Sequence, residues 1–187
     1  SNISNFDFEI NWGDGTVETI IGDDPDPIHT YENADTYTIE INGIFPHFQM
    51  IKPFQFDEVE IGEDERKNAT KLQSIEQWGD VRWESMVNTF FLAVNMTYNA
   101  TDAPILSQVT RMRNMFARAS SFNGDLSGWD VSSVTDMNEM FFGARSFNGN
   151  LSSWNVGNVT DMSLMFDGAS SFNGDLGSWD VSNVTDF

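Results

Sequence analysis

The side chains that could do acid–base, nucleophilic or metal chemistry are few here, apart from the carboxylates. The chain has no cysteine and two histidines, His29 and His47, and neither histidine lies in a metal-binding or nucleophile motif. It has no glycine-rich phosphate loop, no GxSxG and no HExxH. We interpret His29, in the tripeptide His-Thr-Tyr, as a structural residue that hydrogen-bonds within its domain. The sequence therefore predicts no catalytic residues and no enzyme.

Carboxylates dominate the charge, with 29 acidic against 9 basic residues and a formal net charge of −20. Such a balance argues against nucleic acid and against anionic membrane surfaces as partners, because both need a basic surface. It fits a protein that quenches its own repulsion with divalent cations, or one that acidity simply keeps in solution. A solvated acidic face explains the paired carboxylates better than a glycosidase pair does.

One acidic loop is a candidate cation site. Asp23, Asp24 and Asp26 stand close together and could chelate Ca²⁺ through hard oxygen ligands. A solvated turn is the alternative interpretation of so short a run. Apart from this candidate Ca²⁺, the sequence predicts no cofactor.

The C-terminal part of the chain repeats every 25 residues. The copies begin at Val109, Val134 and Val159, with a truncated copy at Val184, and read VTRMRNMFARASSFNGDLSGWDVSS, VTDMNEMFFGARSFNGNLSSWNVGN and VTDMSLMFDGASSFNGDLGSWDVSN. A fixed period of this length is the signature of units that stack on their neighbours. Stacking predicts an extended protein surface, which favours binding over catalysis.

Within each repeat, the pattern predicts a short helix, a turn and a short strand. In the first repeat Met112, Met115, Phe116 and Ala119 stand at offsets 0, 3, 4 and 7, which is one face of a helix of two turns. An Asn-Gly pair then marks a turn, and the pattern Leu-x-x-Trp-x-Val suits one short strand.

Carboxylates also recur with the repeat, at Asp136, Asp161 and Asp186. In stacked repeats these side chains would repel one another unless they have partners. They either cap the N-terminus of each predicted helix or bind cations, and we favour capping.

The phrase MFxxAxSFNxDLSxWDVSxVTDM resembles the 25-residue repeat of BspA-like bacterial surface proteins, a leucine-rich-repeat-type family. The resemblance covers about residues 70–187 and includes the lead-in segments IEQWGDVRW and TDAPILSQVTRM. It implies an extracellular, adhesive repeat protein of bacteria or microbial eukaryotes, without catalytic residues.

The N-terminal part has the alternation of β-strands, with Phe6, Phe8 and Ile10 on one face, followed by a hairpin signal at Asp14-Gly15. The order WGDGT, HTY, TYTIEI resembles a PKD-type (polycystic-kidney-disease) β-sandwich module. That resemblance implies a module that is common in secreted bacterial proteins.

Together these observations predict an α+β fold. It consists of a right-handed leucine-rich-repeat-type solenoid, with a short helix and a short strand per 25-residue coil, preceded by a small PKD-like β-sandwich segment. The expected domains are residues 1–62 (PKD-like, with further strands over 44–62), 63–108 (linker and irregular capping repeat) and 109–187 (regular repeats). We expect the chain to be a fragment of a longer one, with no membrane-inserted segment.

Positions that vary between repeats are where a stacked protein would recognise a partner. Five such residues are candidate partner contacts: Arg111, Arg113, Arg118, Asn138 and Glu139. The arginines make the first regular repeat locally basic, as a partner patch or as an internal salt-bridge surface. The expected function is adhesion or recognition of an extracellular protein or glycan at a cell surface. The alternative is a spacer with no ligand of its own.

Overall fold

The computed structural model describes residues 6–22, 27–48 and 67–187. The chain forms two compact units, Ser1–Pro46 and His47–Phe187. The expected boundary at residue 62, most of the strand region expected over 44–62 and the start of the expected linker at residue 63 lie outside the described residues. Within the described residues no helix is long and apolar enough to cross a membrane.

A three-stranded antiparallel sheet organises the first unit. Its strands are β1 (Phe6–Asn11), β2 (Val17–Gly22) and β3 (Glu40–Ile44), in the spatial order β2-β1-β3. Along β1 buried and exposed residues alternate, as a period of two requires. This confirms the predicted apolar face of the first strand.

The hairpin predicted at Asp14-Gly15 is also confirmed, because the Trp12 N–H donates to the Thr16 carbonyl at 3.0 Å between β1 and β2. The strand predicted from TYTIEI begins later, at Glu40. Tyr37 stacks on Tyr31 instead, with ring centroids 4.1 Å apart, and this holds the preceding residues outside the sheet.

The apolar side of this sheet is covered by loop residues. Phe6, Phe8 and Ile10 pack with Tyr31 and Phe45, both of which lie outside the strands. The described residues of this unit form one sheet and not two facing sheets, so the β-sandwich in the predicted fold class is wrong. The two loop aromatic rings fill the place where a second sheet would pack.

The second unit is built almost entirely of turns. A helical turn covers residues 67–69, and β4 (Ser74–Ile75) pairs in parallel with β5 (Thr97–Tyr98). The repeats add isolated parallel bridges, which join Arg111 to Asp136, Asp136 to Asp161 and Asp161 to Asp186. Equivalent positions of successive repeats therefore lie side by side.

Backbone hydrogen bonds explain how a turn-rich chain can form a stack. Alternate N–H groups donate to the next repeat, and the groups between them close tight turns within their own repeat. The inter-repeat bonds run from Met112, Asn114, Phe116 and Arg118 to the carbonyls of Asp136, Asn138, Met140 and Phe142 at 2.9, 3.0, 2.9 and 2.6 Å. The internal bonds run from Met115, Ala117 and Ala119 to Met112, Asn114 and Phe116, each at 3.1 Å.

This arrangement overturns the predicted helix. Asn114 and Arg118 have φ angles of 55° and 60°, and Glu139 and Gly143 repeat these values at 54° and 65°. An α-helix needs φ near −63° at every residue, so a left-handed residue at every fourth position interrupts it. No helix in the described residues reaches seven residues.

The predicted strand of each repeat is wrong as well. Between Leu126 and Val131 the backbone turns, with the Trp129 N–H donating to the Leu126 carbonyl at 3.1 Å. The predicted α+β, leucine-rich-repeat-type solenoid, with a helix and a strand per coil, is therefore contradicted by the described residues. The apolar positions of the repeat are buried, but turns, and not a helix and a strand, bring them into the core.

Aromatic rings form the core of the stack. Phe116, Phe141 and Phe166 stack at 5.6 Å from one repeat to the next, nearly parallel. A second column, Phe122, Phe147 and Phe172, stacks at 5.7 and 5.8 Å. Within a repeat, the rings of the two columns are about 4 Å apart. Each repeat thus completes its core only against its neighbours.

Burial falls off in the last repeat. Trp129 and Trp154 are 4% and 3% exposed, whereas the equivalent Trp179 is half-buried. Val181 and Phe187 are 39% and 77% exposed. Equivalent residues are therefore more buried in the middle repeat than in the last one.

Candidate functional site

Four of the predicted partner residues lie in or beside the left-handed turns, and we call them the arginine face: Arg111, Arg113, Arg118 and Glu139. These four side chains are at least partly accessible, whereas the methionine and phenylalanine positions beside them are buried. Arg111 and Arg118 are exposed, and Arg113 and Glu139 are half-buried. Glu139 lies in the repeat that follows that of the arginines. The two repeats are joined beside it, where the carbonyl of its neighbour Asn138 accepts the Asn114 N–H at 3.0 Å.

Arg118 is held against an aromatic ring. Its guanidinium carbon lies 5.8 Å from the ring centroid of Phe142 in the next repeat. Phe142 belongs to a small apolar cluster with Phe91, Leu92 and Ala117, separate from the main core. The ring holds the guanidinium in place, and Arg118 remains exposed to solvent.

Asn138 does not present its side chain as predicted. It is only 7% exposed, and its amide nitrogen donates to the Ser163 carbonyl at 3.1 Å and to the Ser163 hydroxyl at 2.7 Å. The amide therefore ties one repeat to the next. We assign Asn138 a structural role beneath the arginine face.

The recurring aspartates close turns. Asp136 and Asp161 accept the N–H of the residue two positions later, Asn138 at 3.0 Å and Ser163 at 2.9 Å. A helix cap accepts in the same way, but no helix follows here, so the capping interpretation is wrong in that respect. Asp136 and Asp161 are also positions at which the parallel bridges join successive repeats, so their side-chain oxygens stabilise the turns at these bridges.

The candidate Ca²⁺ ligands Asp23, Asp24 and Asp26 lie outside the described residues. In the part of the chain that the structure does describe, no group of three or more His, Asp or Glu side chains is placed to hold a metal ion.

His29 has the structural surroundings expected of it. Its ring stacks on Trp12, with centroids 4.9 Å apart, and its Nε2 lies 2.8 Å from the Asp14 carboxylate. The pKa of Asp14 is lowered by the Thr16 N–H and by His29. These contacts join the hairpin to the segment that carries the histidine.

A second surface, which sequence reasoning missed, lies along the Asn-Gly turns. Residues 123–125, 127 and 148–150 line a shallow polar groove of about 240 Å³. Its side chains are those of Asn123, Asp125, Ser127, Asn148 and Asn150. The Asn-Gly pairs are turn signals in the sequence. Because each pair is followed by Asp or Asn at the same place in its repeat, stacking of the repeats aligns these polar side chains in columns.

Another turn, at residues 130–132, allows a test of how a turn carboxylate contributes to stability, by substitution of Asp130. Its pKa is lowered, first by the Ser132 hydroxyl and then by the Ser132 N–H, which donates at 3.1 Å. A depressed folded-state pKa means that the carboxylate stabilises the fold above its ordinary pKa of 3.8. That contribution is lost as the pH falls through the folded-state value.

We expect Asp130→Asn to flatten the loss of unfolding free energy below about pH 4, because the equivalent Asn155 keeps the same turn with its Oδ1 3.2 Å from the Gly157 nitrogen. Urea unfolding at neutral and acidic pH measures the effect. The reciprocal variant Asn155→Asp should steepen the dependence. Parallel pH curves for wild type and both variants would contradict this account.

The stacked turns, the shared aromatic core and the outward-facing variable residues define a repeat protein whose 25-residue units contact their neighbours. Residues 84–187, more than half of the chain, match the family described as "Mycoplasma protein of unknown function, DUF285". The chain belongs to this family. No curated protein and no solved structure matches it.

Proposed function

We propose that the chain is a non-enzymatic extracellular module that mediates adhesion by recognising a protein or glycan ligand at a cell surface. The observation that carries the proposal is the arginine face. On a chain of net charge −20, the side chains of Arg111 and Arg118 make no ion pair within the described residues. Such groups can pair with a ligand without first breaking an internal contact.

The chemistry of this face suits an acidic partner surface. Arginine and aromatic residues are enriched among the contacts that dominate binding energy at interfaces. Arg118 lies over Phe142 and has fewer conformations to lose when it pairs with a carboxylate. The surrounding negative charge disfavours acidic partners that approach elsewhere, so binding would be directed to this face.

The extracellular location rests on sequence resemblance. The repeat wording resembles that of BspA-like bacterial surface proteins, and the WGDGT and HTY segments resemble PKD-type modules of secreted proteins. Both resemblances support a protein displayed outside the cell. They do not name a ligand.

A spacer is the second candidate. The core columns run through successive repeats, and such a stack can hold another domain at a distance without binding anything. In that case Arg111 and Arg118 would be exposed residues that bind no ligand.

A repeat-matched variant separates the two candidates. Arg118→Gly introduces the residue of the equivalent position, Gly143, and glycine suits the left-handed backbone at residue 118. Arg111→Ser introduces the residue at position 85, since the Met86 N–H donates to the Arg111 carbonyl as the Met112 N–H does to that of Asp136. Binding of wild type and variant to an array of extracellular-matrix proteins and glycans is compared. We expect the variant to bind its protein ligand at least tenfold more weakly.

Arg145→Ser is the control, since Arg145 is exposed and both of its repeat equivalents are serines. It removes one positive charge that is not among the four residues of the arginine face, and it should leave binding within about twofold of wild type. Equal losses in both variants would indicate non-specific charge attraction. A wild-type protein that binds nothing on the array would favour the spacer.

A further inference from the structure

We propose that the groove along the Asn-Gly turns binds a neutral oligosaccharide in extended form, with about one sugar residue per repeat. The inference rests on the proposed function, because it names a ligand class for a recognition module. It places that ligand at a site separate from the arginine face.

The first observation is a column of amide donors. The Asn148 N–H donates to Oδ1 of Asn123, and the Asn173 N–H donates to Oδ1 of Asn148, both at 2.8 Å. A backbone N–H can only donate, so it fixes the amide oxygen towards itself and the NH₂ group away. The NH₂ groups of Asn123 and Asn148 make no hydrogen bond within the described residues, and both asparagines are exposed.

A carboxylate acceptor lies beside the amides in the lining of the groove, at Asp125. One oxygen of Asp125 accepts the Ser127 N–H at 3.0 Å. The hydrogen bonds from Ser127 also lower the pKa of Asp125, so the carboxylate is ionised at neutral pH. In the next repeat Asn150 holds the same turn, accepting the Ser152 N–H at 3.0 Å, and its NH₂ adds another donor.

Amide donors beside a carboxylate acceptor match the hydroxyl group. A hydroxyl accepts from an amide NH₂ and donates to a carboxylate at the same time, and the bond to the carboxylate is charge-assisted. Neighbouring hydroxyls on a sugar ring can therefore use both kinds of group. A peptide backbone carries its donor and its acceptor on separate N–H and C=O groups, so none of its groups can do both.

The shape of the groove supports the same ligand class. Its floor is backbone at Gly124 and Gly149, and a Cβ on Gly149 would stand 2.7 Å from the Gly124 carbonyl oxygen. Below the floor the Phe122 and Phe147 rings stack at 5.7 Å. This spacing is close to the length of one sugar residue in an extended chain, so successive sugars would lie beside successive Asn-Gly turns.

Charge narrows the choice further. The groove carries the Asp125 carboxylate on a chain of net charge −20, so anionic sugars are disfavoured. Along the groove the carboxylate of one repeat is followed by the neutral amide of Asn150. This alternation suits an uncharged ligand better than a cation, which needs several anionic ligands together.

Two isosteric variants test the groove. Asn148→Asp keeps the oxygen that accepts the Asn173 N–H but removes the free donor. Asp125→Asn keeps the turn, as Asn150 does, but removes the free anionic acceptor. The probes are cello-, chito- and manno-oligosaccharides of increasing length, titrated by calorimetry and by ¹⁵N NMR. We expect wild-type affinity to rise with length and each variant to bind at least tenfold more weakly.

Asn155→Asp is the matched control, since it makes the same change at a turn outside the groove lining, and we expect it to bind as wild type does. Loss of sugar binding in Arg111→Ser/Arg118→Gly, with Asn148→Asp unaffected, would overturn the groove but keep the proposed function. Absence of binding to every oligosaccharide would also overturn the groove. The proposed function would then depend on the protein ligand of the arginine face.

Discussion

Replacing Phe141 with alanine is expected to destabilise the second unit by about 3–5 kcal/mol. The ring is fully buried, lies 5.6 Å from both Phe116 and Phe166, and contacts Phe147 at 4.1 Å. Its removal leaves a cavity in the middle of one column, and the rings on either side belong to repeats that backbone hydrogen bonds hold in place. Collapse into the cavity is therefore restricted.

Phe166→Ala is the matched comparison, because this ring has the same place in its repeat but is only half-buried. We expect its loss to be smaller by at least about 1 kcal/mol. Denaturant unfolding followed by tryptophan fluorescence measures both variants. Equal losses of unfolding free energy in the two variants would mean that burial by neighbouring repeats on both sides does not determine the contribution of a repeat to stability.

Gly43→Ala is expected to have the largest effect on the first unit, with a loss of about 3 kcal/mol or more. Gly43 lies in β3 opposite Phe8, at a φ of 121°. A Cβ there would overlap the Asp7 carbonyl oxygen and come within 2.9 Å of the Phe8 Cα. Since both contacts are backbone, no side-chain rotation relieves them, and β3 must move away from β1.

Gly22→Ala separates the overlap from the cost of the backbone angle. Gly22 lies on an outer strand of the same sheet and also has a positive φ, of 151°, but a Cβ added there would have nothing within 4 Å. We expect it to cost about 1 kcal/mol. Amide hydrogen exchange in β1 reports both: protection should be lost in Gly43→Ala and largely kept in Gly22→Ala. Similar protection in both variants would contradict the steric argument.

The sequence predicts which residues of the repeat are buried better than how the backbone buries them. Met112, Met115, Phe116 and Ala119 share one apolar face in the predicted helix, and all four are fully buried. Their spacing suggests a helix, but turns with a left-handed residue at every fourth position produce the same spacing. Glycine at 143, together with its equivalent in the last repeat, is the local signal for this backbone, because glycine suits a positive φ.

The two proposed binding surfaces differ in how far the sequence can predict them. Arg111 and Arg118 stand out because they change from repeat to repeat on an acidic chain. The groove escapes sequence reasoning because its donors depend on which backbone N–H each asparagine faces in the neighbouring repeat. That contact joins residues 25 positions apart, as between Asn123 and Asn148, and local turn rules do not describe it.

The hydrogen bonds between repeats have a mechanical consequence. Because they run from each repeat to the next, tension applied along the stack would load the interfaces in series, and the weakest interface would open first. Each rupture would release one repeat, which is about 80–90 Å of extended chain. The protein would then lengthen in even steps under force, and its unbroken repeats would keep their surfaces intact.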